Sequence, residues 1–371
     1  GLGDVYKRQK NIDFSQKNPF EWVFGVDFSE LEETNITKDD GIYGDPSDPF
    51  GPYESESVVS RNYEAKNFSL FGNIDYFLSE NYKLAFGLRW ENWDSKYNDS
   101  NQESFNPSDN MNGGKISLIK NNDNSNIYFS IARGYKQGGF NLGLDATDNS
   151  IKDSLIYEPE FLTNYEMGLS SNSNNPILNY SAVFFFSERE DQHVLISRQV
   201  DPTDPNTFSY LTQNAAEGEN YGLEISSNYF VRDNLDLYAN FGLLKTKIKN
   251  WESRSDLKNR AQAHAPERNF SLGANLSFMN NFYLKMDING KSSFFYADSH
   301  NNKSKSYQLV NITLGYKKSN LSTDIWIRNL FDEYYSTRGF FFGNEAPNFV
   351  DTLYKRQGDP KNIGISVRYD F

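Results

Sequence analysis

Cysteine is absent from the 371 residues, which excludes disulfide frameworks and thiolate metal sites. Long hydrophobic runs are missing too. Hydrophobic residues make up 37% of the chain and the mean hydropathy is -0.72. No stretch approaches the roughly 18 apolar residues that a membrane-crossing helix needs. The chain opens Gly1-Leu2-Gly3, without methionine and without the apolar core of a secretory leader. Positive charge is in short supply: 37 Lys and Arg stand against 50 Asp and Glu, a formal charge of -13. That balance disfavours nucleic acid as a partner and fits acidic surface loops. Aromatic residues are abundant, 16% of the chain with 30 Phe and 24 Tyr. In so polar a sequence they suit a sheet with one aromatic-belted lipid face and one wet face, and equally a soluble β protein.

The closing residues 362–371 set the pattern. Ile363, Ile365, Val367, Tyr369 and Phe371 share one face, and Gly364, Ser366, Arg368 and Asp370 the other. Such period-two alternation marks a half-buried β-strand. It recurs upstream in units of about ten residues, the length that crosses a hydrocarbon layer as a tilted strand. Its clearest instance puts Tyr82, Leu84, Phe86, Leu88 and Trp90 toward lipid and Lys83, Arg89 and Glu91 toward a lumen. The reading is all-β: an antiparallel transmembrane β-barrel meander of about fifteen strands, with short turns alternating with long loops. Residues 34–62 and 338–357 are expected outside the cell, and 79–81 and 280–281 on the periplasmic side. Bacterial single-chain barrels have even strand numbers. An odd count therefore means either one strand more or fewer than read or an incomplete part of a larger barrel, and the ragged start favours the latter. Residues 1–9 are set apart as a non-native or truncated leader, the barrel domain running over 10–371 with a first strand near 11–16.

Specific stretches then resemble one family. Ile131-Ala132-Arg133-Gly134-Tyr135-Lys136-Gln137-Gly138-Gly139-Phe140-Asn141 looks like a strand exit of TonB-dependent outer-membrane receptors. Glu158-Pro159-Glu160 through Asn164-Tyr165-Glu166-Met167-Gly168 is similar to the start of that family's next strand. Asn329-Leu330-Phe331-Asp332 resembles its Asn-Leu-Phe-Asp near the end, and Gly358-Asp359-Pro360 with Tyr369-Asp370-Phe371 its closing strand. The resemblance implies a 22-stranded barrel with a plugged lumen. This chain would supply roughly the last two-thirds of it, with the plug and the TonB-contacting segment upstream. It further implies TonB-coupled uptake of a ferric siderophore or similar metal chelate, with cobalamin or an oligosaccharide as alternatives. Outer-membrane lipid, the TonB complex and the chelate are then the partners, and no cofactor is called for. A passive porin and a soluble surface adhesin remain alternative readings.

Ligand candidates are few. Arg89, Arg133, Arg189 and Arg198 fall on inward or rim positions and suit an anionic ligand, Arg89 and Arg133 above all. Tyr334, Tyr335, Phe340, Phe341 and Phe342 cluster near an outer strand end, where they would stack on a ligand or form an interfacial girdle. Of the three histidines, His193, His264 and His300, His193 follows Glu188-Arg189-Glu190-Asp191 and reads as a lumen-facing polar side chain, with a metal or haem ligand as the alternative; the haem boxes of related receptors are not matched at Ala132-Arg133-Gly134-Tyr135 or Glu158-Pro159-Glu160-Phe161. Asp39, Asp40, Asp45 and Asp48 read as a solvated acidic loop, since their spacing fits no Ca²⁺ loop. No nucleophile–base constellation points to an enzyme.

Overall fold

The computed structural model describes residues 6–9, 19–43, 53–142, 155–171, 177–199, 208–298, 300–343, 345, 348 and 350–371. Its strands in chain order are β1 (Tyr6–Gln9), β2 (Phe20–Tyr43), β3 (Tyr53–Phe77), β4 (Tyr82–Asp99), β5 (Ser104–Phe105), β6 (Ser108–Asn121), β7 (Ser125–Lys136), β8 (Gly139–Phe140), β9 (Ile156–Tyr157) and β10 (Glu160–Ser171). They continue with β11 (Leu178–Gln199), β12 (Phe208–Arg232), β13 (Leu235–Asn250), β14 (Arg268–Phe278), β15 (Phe282–Lys291), β16 (Tyr307–Lys318), β17 (Leu321–Arg328), β18 (Ser336–Phe342), β19 (Thr352–Gln357) and β20 (Asn362–Tyr369). A single 16-stranded antiparallel meander holds most of them; β5 lies off its path, which leaves fifteen strands along it. The pairs β8–β9 and β18–β19 form separate ribbons. The order begins at β1 and ends at β20, and no pairing joins these two among the described residues, so the sheet is open. A 3₁₀ segment spans Glu252–Leu257. No described helix is long and apolar enough to cross a membrane.

Alternation fixes which face each strand presents. Phe86 stands across from Ile74 and Ile116, Ile116 across from Ile131, Ile131 across from Tyr165, and Tyr165 across from Phe186. These side chains form one lateral apolar band. Phe86, Leu88 and Trp90 are exposed on it, Leu88 at 57%. The intervening residues form the opposite, polar face, where Ser117, Ser130 and Glu91 are buried. Five aromatic residues lie flat against that face. Phe71, Tyr128, Tyr238, Tyr283 and Trp326 each sit opposite a glycine of the neighbouring strand: Gly25, Gly168, Gly273, Gly315 and Gly364. A Cβ at any of these glycines would come within 2.2 Å of the ring. Here glycine is required by close approach, and the ring shields the bare backbone.

The short turns gather at one end. Met279 and Asn280 both take positive φ, 48° and 57°, as the tight β14–β15 hairpin demands. The other end differs from the sequence reading. Residues 34–62 are mostly strand, not loop: β2 and β3 stay paired from Phe20↔Tyr76 up to Tyr43↔Tyr53. At 24 and 25 residues these strands far exceed the roughly ten needed to cross lipid. Beyond the lipid both faces meet water, so pairing continues without apolar alternation. Residues 1–9 contribute β1, which pairs with Val23–Val26 of β2. A four-residue edge strand is too short to carry a period-two signal. The expected strand near 11–16, Asp45 and Asp48 lie outside the described residues.

Candidate ligand-facing surface

Arg89 is the centre of a charged network on the polar face. Its Nε donates to Glu91 Oε2 at 2.7 Å and to the Tyr135 hydroxyl at 3.1 Å. Tyr135 in turn donates to Glu91 Oε2 at 2.8 Å. Asp27 lies 3.7 Å from the guanidinium, which also sits over the Phe71 ring at 5.8 Å. Arg89, Glu91, Tyr135 and Phe71 line a depression of about 550 Å³ together with Asn73, Lys115 and Arg133. Lys115 shares the face of Ser117 and has no carboxylate within ion-pair distance among the described residues. The depression therefore holds Lys115, without an ion-pair partner among the described residues, beside the paired Arg89 and Arg133. Period two could have found Lys115, since it falls two residues from Ser117; a lysine in a glycine-flanked strand start carried no other signal.

Tyr135 has the parity of Ile131 and Arg133, the apolar face, yet reaches the polar one. The β6–β7 ladder ends at Gly114↔Arg133, and above that point the two strands part. Gly113 presents no side chain there: a Cβ would meet the Tyr135 ring at 3.1 Å. The phenol passes over this glycine to Glu91.

The four arginines separate. Arg189 is on the polar face, 3.7 Å from Glu160. Arg133 is on the apolar face near its upper edge, over the Phe161 ring at 4.4 Å and 3.5 Å from Glu190. The side chain of Arg198 is outside the described residues. Further along the polar face, Lys83 donates to Asp75 at 2.9 Å, Tyr128 to Glu166, and Tyr283 to Asp324.

A second group of candidates belongs to the long-connection end. Tyr335 packs on Tyr307 with ring centroids 4.5 Å apart, and Phe341 on His300 at 5.0 Å. Tyr334 is 79% exposed. Around them the loops form a platform. Arg260 donates to Ala297 O at 2.6 Å and His300 O at 3.2 Å, and pairs with Asp298 at 3.3 Å. The Phe295 ring is held between Arg260 at 4.1 Å and Lys303 at 4.2 Å. His264 packs on Phe294. Burial, and then the nearby Arg338 guanidinium, hold its imidazole below the usual pKa, with Asp298 pulling the other way. His193 bonds the Glu158 carbonyl at 2.7 Å and meets Tyr157 edge-on. Arg89 on the wall and Tyr335 and Phe341 on the platform share no contact partner among the described residues. No group of three or more His, Asp or Glu is placed to hold a metal ion among the described residues. Asp39 and Asp40 fall in β2, opposite Ser57 and Glu56.

The conspicuous motifs are structural joints. Phe140 packs against Phe105 at 5.1 Å and Tyr97 at 5.2 Å, and Asn141 exchanges two hydrogen bonds with the Thr212 backbone. Asn214 does the same for Glu158. Asn329, 4% exposed, accepts from Glu333 N and donates to the Glu333 and Asp359 carbonyls. Asp332 accepts from Lys361 N at 2.7 Å. The segment 329–332 thereby fastens the start of β20.

Comparison with known proteins follows this geometry. The family model described as TonB dependent receptor-like, beta-barrel matches residues 3–330. Among solved structures, the ferric yersiniabactin uptake receptor FyuA from Yersinia pestis is similar at TM-score 0.75 and 17% identity, over 99% of this chain and 53% of that one. The copper transporter OprC matches at TM-score 0.71 and 15% identity, over 95% of this chain and 56% of that one. The siderophore receptor PiuA from Acinetobacter baumannii matches at TM-score 0.69 and 17% identity, over 94% of this chain and 53% of that one. The chain thus spans about half the length of the solved structures it matches.

Proposed function

The chain belongs to the TonB dependent receptor-like β-barrel family, and from that premise we propose that it forms the wall of an outer-membrane receptor importing a scarce metal chelate, a ferric siderophore first among them. The observation that carries this reading is the sidedness of the sheet: an exposed apolar band on one face and a charged, hydrogen-bonded network on the other. A wall with lipid on one side and a wet lumen on the other needs both. The whole protein couples transport to the energised inner membrane through TonB. That the similar structures include receptors for ferric yersiniabactin and siderophores supports the ligand class.

Arg89 and Lys115 are the proposed wall contacts for an anionic chelate, and Tyr334, Tyr335 and Phe341 the proposed capture surface above. Arg133, which lines the same depression although it shares its strand face with Ile131, is a further proposed contact at its rim. The test is titration of the full-length protein in detergent with a ferric catecholate chelate. Arg89→Ala with Lys115→Ala should weaken binding about tenfold or more, the scale of one lost charge-assisted contact. Unchanged affinity in the double variant removes these residues from the site.

A further inference from the structure

The apolar face is graded at its upper edge, and one stretch of that edge is built like a receptor for a charged amphiphile. Along one lateral row, Phe241 stands across from Phe270, Phe270 across from Gly290, and Gly290 across from Gln308. The row below runs Ala239, Leu272, Ile288 and Val310, all apolar. In the row above, Arg268 stands across from Leu243, and its backbone N–H donates to Ser292 Oγ at 3.0 Å. These rows enclose a depression of about 600 Å³ lined by Phe241, Phe270, Arg268, Ser292, Ser306 and Gln308. Lys291 also borders it, as does Glu333, so the site carries a net positive charge. Neither Arg268 nor Lys291 is ion-paired with a carboxylate among the described residues. Elsewhere on the sheet Lys66, Lys83, Arg89 and Arg133 all have such partners.

We infer that this depression binds a phosphate-bearing membrane lipid, its phosphate held by Arg268, Ser292 and Ser306 and one acyl chain descending over Phe270, Leu272, Ile288 and Val310. The inference rests on the membrane placement proposed above. Charge complementarity selects the occupant: an unpaired guanidinium flanked by hydroxyls is a phosphate site, and it stands one row above a surface that meets hydrocarbon. A free phosphate would leave the aromatic floor uncovered. A protein ligand would have to compete with lipid for the apolar rows.

The experiment uses the full-length protein extracted in neutral detergent, with heat-modifiable gel migration read first to establish an inserted, folded barrel. Didodecanoyl phosphatidic acid and didodecanoylglycerol are then titrated, and retained lipid is counted by native mass spectrometry. The phosphatidic acid should be retained about tenfold more tightly than the diacylglycerol. Arg268→Glu should abolish that preference, and Ser306→Trp, which fills the depression, should abolish retention of both lipids. Lys318→Glu, at the opposite end of β16, should change neither. Equal retention of the two lipids, or a preference that survives Arg268→Glu, overturns the inference while leaving the receptor reading intact. A protein that never forms a heat-modifiable barrel overturns both.

Discussion

The Tyr135 hydroxyl donates to Glu91 Oε2 at 2.8 Å across the point where β6 and β7 part. The same hydroxyl also accepts from Arg89 Nε at 3.1 Å. Tyr135→Phe removes both bonds of the hydroxyl and should destabilise the sheet by about 2 kcal/mol, about 1 kcal/mol for each. In a Glu91→Met background the same change should cost less, because only the bond from Arg89 Nε is left to lose. Urea unfolding in lipid vesicles measures both; equal losses in the two backgrounds would show that the bond to Glu91 contributes nothing.

The face assignment gives a second prediction. Phe86→Arg places a charge in the apolar band and should cost about 2–4 kcal/mol at mid-depth. Ala85→Arg, on the polar face beside Lys83 and Asp75, should assemble normally. Yields of heat-modifiable barrel from the full-length variants make the comparison, and equal yields would reverse the assignment.

The platform above the sheet should respond to pH. The His264 imidazole is held below its ordinary pKa by burial and by Arg338. Once opened, the loop takes up its proton near the ordinary value of about 6.5, so the unfolded loop binds more protons than the packed one below that pH. Platform stability is then full above about pH 7 and declines as pH falls through 6.5. His264→Asn should flatten this dependence, since asparagine tolerates the φ of 55° found there. Hydrogen-exchange protection of residues 251–267, corrected for intrinsic rates, is the readout. Protection that falls equally in the variant would place the titrating group elsewhere.

The membrane-spanning part of this fold was legible because lipid imposes a rule on every second residue. Residues 82–90 alternate as read, and the meander runs along fifteen strands, the first of them at Tyr6–Gln9 where the sequence reading placed none. The rule lapses where both faces are wet. For that reason the upper halves of β2 and β3 read as a loop although they are paired to Tyr43 and Tyr53. Function-bearing residues were less legible. Arg89 was found because it alternates with Leu88 and Trp90. Arg133 follows the same parity to the opposite face, but reading that requires the β6–β7 register, which one strand alone does not contain. Tyr135 breaks parity through a seam that only the fold creates. The Gly-Gly-Phe-Asn and Asn-Leu-Phe-Asp stretches were visible as patterns. Their reason, asparagine side chains standing in for backbone partners, needed Thr212 and Asp359, remote in sequence.

Energised transport by the whole receptor is measured most directly as uptake. The full-length gene is expressed in a Gram-negative strain stripped of its own chelate receptors, and cells are supplied with radiolabelled ferric siderophores at nanomolar concentration. Accumulation should be saturable, should cease when an uncoupler collapses the inner-membrane gradient, and should fall in the Arg89→Ala, Lys115→Ala double variant. Uptake that rises linearly with solute concentration and ignores the uncoupler would contradict the account and identify a passive pore.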